Sequence, residues 1–161
     1  MNQLKIGEIA PEFKLLTDEQ EYIQLSNLRG EWIILFFYPK DFTPTCTKEV
    51  CVYRNFVNND LKDFKRDIIV LGISPDTVET HKEFSRKFKL SYPLLSDSEN
   101  QVAKDYGVDD KFINHNEIIP TVKRTTFIIN PSGKIAYLFD VQKVNTHIEE
   151  VKKVLNKLIN D

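Results

Sequence analysis

The residues of this chain best suited to chemistry are its two cysteines, Cys46 and Cys51. They stand five positions apart in Pro39-Lys-Asp-Phe-Thr43-Pro44-Thr-Cys46-Thr-Lys-Glu49-Val-Cys51, a run that follows an apolar stretch and reads as the opening of a helix. Unpaired N–H groups and the helix dipole favour negative charge at such an opening, so a thiol there ionises readily. The resulting thiolate is a nucleophile, and a second thiol close by can capture its oxidised form. The segment therefore points to redox catalysis.

Helix geometry separates the two thiols. At about 3.6 residues per turn, Cys46 shares a stripe with Val50, Tyr53 and Val57 that faces the protein, whereas Cys51 lies on a flank. Residues five apart in an intact helix have Cα atoms about 8–9 Å apart, and a disulfide tolerates at most about 6.8 Å. The pair can bond only if the first turns of the helix unwind. Thr43-Pro44 sets the entry, because proline fixes its own φ and holds the preceding residue extended. This aims the Thr43 hydroxyl toward the helix mouth, where it reads equally as a helix cap. Glu49 reads as a reciprocal capping partner, and an unpaired carboxylate beside the thiol would oppose its ionisation, which calls for a basic residue nearby. A free thiol of pKa about 8.5 is already about 3% ionised at pH 7, so full ionisation gains only about 30-fold. Donors that bind the oxidant and stabilise a leaving oxyanion must supply the rest.

The elements that would position this segment are legible in outline. Ile33–Phe37, Ile68–Ile73 and Thr125–Ile129 are continuous apolar runs, as in strands buried on both faces. A helical pattern through Val50, Tyr53, Val57, Leu61 and Phe64 separates the first two, and another follows through Val78, His81, Phe84 and Phe88. Strand, helix and strand in this order predict a right-handed crossover and a parallel pair. Asn130-Pro131-Ser132-Gly133 predicts a turn joining Phe127–Ile129 to Ile135–Phe139 as an antiparallel hairpin. An amphipathic helix through Ile148, Val151, Leu155 and Leu158 closes the chain. The first thirty residues predict a short hairpin or edge extension. The expected fold is α/β, a thioredoxin-like mixed central sheet with helices on both faces and an N-terminal extension, in a single domain over residues 1–161.

Composition narrows the function. A chain of 161 residues can bury roughly 70% of its unfolded surface without a staple. The 22 Lys and Arg against 24 Asp and Glu leave a formal charge of −2, which argues against nucleic acid or an anionic membrane as the main partner. No leader-type segment or membrane-length apolar run is visible, so a reducing cytoplasm is expected, where a cysteine pair is more often catalytic or metal-binding than structural. His81, His115 and His147 are scattered, and His81 reads as a core histidine. Two cysteines without clustered histidines do not make a zinc site, isolated Gly72 and Gly107 make no phosphate loop, and no flavin, nicotinamide or haem is expected.

Pro39-x-x-x-Thr43-x-x-Cys46 resembles the active-site motif of the peroxiredoxins, the thiol-dependent peroxidases. Phe37-Tyr38-Pro39 with Thr43-Pro44-x-Cys46-Thr47-x-Glu49-x-Cys51 is similar to the bacterioferritin-comigratory-protein or peroxiredoxin Q subgroup. The likeness continues through Gly72-Ile73-Ser74-x-Asp76, Tyr106-Gly107-Val108, Arg124-x-Thr126-Phe127-Ile128-Ile129 and His147. It implies a peroxidatic Cys46 that becomes a sulfenic acid on reducing hydrogen peroxide or an alkyl hydroperoxide. It further implies that Thr43 contacts thiolate and peroxide, that Arg124 supplies the activating cation, that Pro39 shields the pocket, and that Glu49 orients arginine. The resemblance also implies that Cys51 is the resolving cysteine of an in-chain disulfide with Cys46, recycled by thioredoxin or a similar dithiol, and that a monomer or weak dimer suffices. The chain departs from the subgroup at Thr45, where glycine is usual, at Asn55, where aspartate is usual, and over residues 109–123, where a Trp and Gly-rich pattern gives way to Asp109-Asp110-Lys-Phe-Ile-Asn-His115-Asn-Glu. Two other readings share these cysteines: a general thiol–disulfide oxidoreductase, which would prefer Cys-x-x-Cys, and a redox-sensing binding module that exposes Val50 and Phe56 on unfolding.

Overall fold

The computed structural model describes residues 4–160. Its frame is a five-stranded sheet. The apolar runs form Trp32–Phe37 (β3), Ile68–Ser74 (β4) and Thr125–Ile129 (β8), flanked by Leu94–Ser96 (β5) and Ile135–Asp140 (β9) in the order β5-β4-β3-β8-β9. β3, β4 and β5 run parallel, while β8 and β9 are antiparallel to their neighbours. The mixed sheet and the β8–β9 hairpin are as expected from the sequence.

Strand alternation sends Ile34, Phe36 and Tyr38 to one face and Ile33, Leu35 and Phe37 to the other. The first face packs against Pro44–Asn55 (α1), Val78–Phe88 (α2) and Val144–Asn160 (α4) through Val50, Tyr53, Phe84, Val151 and Leu155. The second packs against Gln101–Asp105 (α3) through Val102 and Ala103, together with Tyr106, Phe13 and Leu25. Helices thus cover both faces. The N-terminal extension contains a hairpin of Lys14–Leu16 (β1) and Tyr22–Gln24 (β2), and Thr17 bridges to Leu95 at the sheet edge.

Besides the short β5 and α3, two features depart from the sequence expectation. The helix after β3 does not run unbroken to Phe64: it passes at Phe56–Asp60 into a wider π turn and then a 3-10 turn at Leu61–Asp63. Apolar periodicity continues through such a change, so the pattern alone hides it. Residues 109–122 form a separate two-stranded ribbon, Asp109–Asn114 (β6) and Glu117–Val122 (β7), closed by His115-Asn116 with both residues at positive φ. That two-residue turn matches the twist of a tight hairpin. Among the described residues no helix is long and apolar enough to cross a membrane.

Candidate active site

Parallel β3 ends at Phe37, and the chain turns through residues 38–43 into α1, which places Cys46 in the first helical turn. Proline at the first helical position costs no hydrogen bond there, and the Thr43 carbonyl accepts the N–H of Thr47 at 2.8 Å to start the ladder. Antiparallel β8 sets Thr125 opposite Phe37. Arg124, one residue before that strand, therefore emerges at the same end of the sheet as the thiol.

The expected stripe is present. Cys46, Val50 and Tyr53 are buried, whereas Cys51 is half-buried on the flank. Both thiols are free in the intact helix. One guanidinium joins the charged groups: Arg124 Nη2 donates to Cys46 Sγ at 3.3 Å, and Arg124 Nη1 donates to Glu49 Oε1 at 2.6 Å. The basic partner that the Glu49 carboxylate demanded is thus Arg124. Burial still pushes the Glu49 carboxyl up to about 7, with Arg124 pulling the other way. Burial disfavours the charged Arg124, but Glu49 and Cys46 outweigh it and raise its pKa above the ordinary value.

Two local expectations need correction. Glu49 does not cap α1, because its carboxylate is spent on Arg124 and its second oxygen, Oε2, is buried without a partner. Thr43 occupies the N-cap position, but its hydroxyl does not cap the helix either; it donates to the Lys40 carbonyl at 2.8 Å. The helix mouth is left open as a result. With its one proton committed, the Thr43 oxygen faces any further polar partner as an acceptor. Pro39 is half-buried in the same loop.

The structure adds residues to which the sequence assigned no task. Tyr53, at the far end of α1, stacks on Phe36 with ring centroids 4.2 Å apart. Its hydroxyl lies 2.7 Å from His147 Nε2 on α4, which also lies 3.1 Å from Thr126 Oγ1 on β8. Burial, with Arg124 nearby, lowers the His147 pKa to about 4, so the ring is neutral. Tyr92, after α2, donates to the Val50 carbonyl at 2.7 Å. A tyrosine seven places after Cys46 on its own stripe was the one available signal for this clamp. A guanidinium beside a buried thiol, at a helix mouth whose first N–H groups lack intrahelical partners, can hold a thiolate and stabilise an oxyanion leaving from it.

The AhpC/TSA family pattern matches residues 6–138. The chain is a peroxiredoxin of that family. Peroxiredoxin Bcp of Escherichia coli K12 is 36% identical over 94% of this chain and 95% of its own. Peroxiredoxin Bcp of Bacillus subtilis is 33% identical over 96% of this chain and 97% of its own. A solved structure of the bacterioferritin comigratory protein of Xanthomonas campestris, described together with its alkyl peroxide reduction activity, is 25% identical, with a TM-score of 0.85 over 96% of this chain and 99% of that one. The peroxiredoxin is thus a thiol peroxidase whose chemistry requires a peroxide and a thiol reductant, on a thioredoxin-like fold.

Proposed function

We propose that this peroxiredoxin reduces hydrogen peroxide and alkyl hydroperoxides through Cys46, with Cys51 resolving in the same chain. The contact of Arg124 with Cys46 Sγ carries the assignment, because it puts a fixed cation on the sulfur that must become anionic and beside the oxygen that must leave. The Cys46 thiolate attacks one peroxide oxygen; an S–O bond forms and the O–O bond breaks. Sulfur is oxidised to the sulfenic acid, and the departing alkoxide or hydroxide leaves as alcohol or water after taking a proton. Arg124 and the N–H groups of the helix mouth stabilise that developing charge. Thr43 accepts the peroxide O–H, Pro39 limits water, and Glu49 holds the guanidinium in line.

Resolution needs motion. The two cysteines belong to one intact helix, and the spacing of helical residues forbids a bond there. The first turns of α1 unwind, the Cys51 thiolate attacks the Cys46 sulfur, an S–S bond forms and water leaves. A dithiol such as thioredoxin then reduces the disulfide in a reducing compartment such as the cytoplasm. No second subunit is required. The experiment is mass spectrometry after one equivalent of peroxide, expected to show a Cys46–Cys51 link within one chain. Cys46→Ser should abolish turnover, and Cys51→Ser should permit one round but no recycling. Full thioredoxin-coupled turnover by Cys46→Ser would overturn the assignment.

A further inference from the structure

Beneath the loop that carries Pro39 and Thr43 lies a buried polar network that the chemistry above does not use. Asp41, within that loop, and His81, on α2, are 3% and 0% exposed. His81 Nδ1 stands 2.6 Å from Asp41 Oδ2, and Tyr38 donates its hydroxyl to Asp41 Oδ1 at 2.6 Å. The Asp41 N–H donates to Asp76 Oδ2 at 2.8 Å, and Ser74 Oγ donates to that same oxygen at 2.6 Å. His81 Nε2 faces the Leu95 carbonyl at 3.0 Å. Both ring nitrogens therefore face oxygen atoms, and the ring is held at two points. Burial raises the Asp41 carboxyl above its ordinary range, and the bond from His81 counters that.

These atoms lie close enough together to suggest a metal site, yet they already hydrogen-bond one another. Burying these polar groups is also a poor source of stability, since their desolvation offsets the hydrogen bonds they make. Its position suggests a different use. Asp41 is held through its backbone and through both carboxylate oxygens, so the loop has one geometry at residue 41. The next residue, Phe42, takes φ of 66°, which is unfavourable for an aromatic residue and persists only where its flanks are pinned. Its ring rests on Phe84 of α2, centroids 4.8 Å apart. On the other flank Lys40 turns its carbonyl to the Thr43 hydroxyl.

We propose that His81 is a positioning residue for the peroxide: by holding Asp41 it fixes the Lys40 carbonyl, which takes the Thr43 proton and leaves the Thr43 oxygen as an acceptor aimed at the incoming O–H. This rests on the peroxidase reading of Cys46 and adds to it a residue on a different helix. It also separates two properties of the site. Arg124 acts on the sulfur, whereas His81 acts through Thr43 on the oxidant. Loss of His81 should therefore slow peroxide attack without changing the reactivity of Cys46 toward an electrophile that needs no acceptor.

The test uses the Cys51→Ser protein, in which Cys46 is the one remaining thiol. Its rates with hydrogen peroxide and with iodoacetamide are compared, each read by mass spectrometry. Adding His81→Gln should slow the peroxide reaction by about tenfold or more and leave alkylation within about twofold. On a Thr43→Val background the same change should move the peroxide rate by less than about twofold, because the route through Thr43 is already closed. Equal slowing of both reactions, slowing of neither, or a full effect on top of Thr43→Val would each overturn the proposal. If circular dichroism shows His81→Gln unfolded, Tyr38→Phe removes one bond to Asp41 while keeping the ring, and the same selective loss, at about threefold or more, decides the matter. A Cys51→Ser parent that is alkylated normally yet inert to peroxide would instead refute the peroxidase reading itself, and with it the basis of the proposal.

Discussion

At the residue scale the site is built on one guanidinium shared between a thiol and a carboxylate. Glu49 is the unusual member, because burial lifts its carboxyl to about 7 from 4.5. A carboxyl whose folded pKa is raised binds more protons in the folded state than in the unfolded one between those values. Its contribution to stability therefore falls as pH rises from 4.5 toward 7. His147 works in the opposite sense: lowered from 6.5 to about 4, it contributes stability above pH 6.5 that is lost as pH falls through that window. The Glu49→Gln variant isolates the first effect. Loss of the charge opposite Arg124 makes the variant differ from the parent at every pH, but the difference in Tm should shift in the variant's favour as pH rises from 4.5 to 7. Thermal melts at several pH values check this, and a difference independent of pH would contradict it.

At the element scale, what matters is how α1 is held at one end and released at the other. Its mouth has no side-chain cap from Thr43, a bond that contributes about 1 kcal/mol in many helices. Its far half is fastened by Tyr53 to β8 and α4 and by Tyr92 at Val50. That asymmetry suits the proposed unwinding of the first turns while the rest stays docked. The Phe36 ring beneath Tyr53 depends in turn on Gly72 of the neighbouring strand. A Cβ there would stand 2.8 Å from Phe36 Cζ and 2.9 Å from Leu94 Cδ2. Gly72→Ala should displace the ring, lower stability by about 1–3 kcal/mol and loosen α1. Urea unfolding measures the first effect, and stability equal to that of the parent would show that the neighbours yield without cost.

At the scale of the whole molecule, the ribbon of β6 and β7 ends two residues before Arg124, and near its turn Ile113 and Ile118, 75% and 65% exposed, form a cross-strand pair. Replacing both by threonine should change stability by no more than about 0.5 kcal/mol and leave peroxide turnover unaltered; a coupled peroxidase assay and a melt check both. Four strands of the main sheet, the β8–β9 hairpin, α2 and the closing helix were legible in the sequence because burial and turn chemistry leave periodic local marks; the short β5 and α3, of three and five residues, leave too little pattern to be read. That Cys46, Thr43 and Glu49 gather at the start of one helix was legible from spacing, and the meeting of Arg124 with Cys46 and Glu49 accords with the resemblance to a family, but the capping tasks read for Thr43 and Glu49 were not met. The ribbon was not legible, since apart from half-buried Ile119 and buried Val122 its apolar residues are exposed and report no core. Nor were the partners of Tyr53, His81 and His147, which lie 94, 40 and 94 positions away. By itself the sequence determined where the Cys46 thiol stands, on which face of which helix, and that it cannot reach Cys51 without unwinding, because these follow from the local repeat of the backbone. Only the tertiary structure decided which oxygen of Glu49 holds Arg124, which carbonyl takes the Thr43 proton and which buried rings hold the loop and the helix. Those pairings depend on the register of β3 against β8 and on the packing of α2 and α4, where side chains distant along the chain meet.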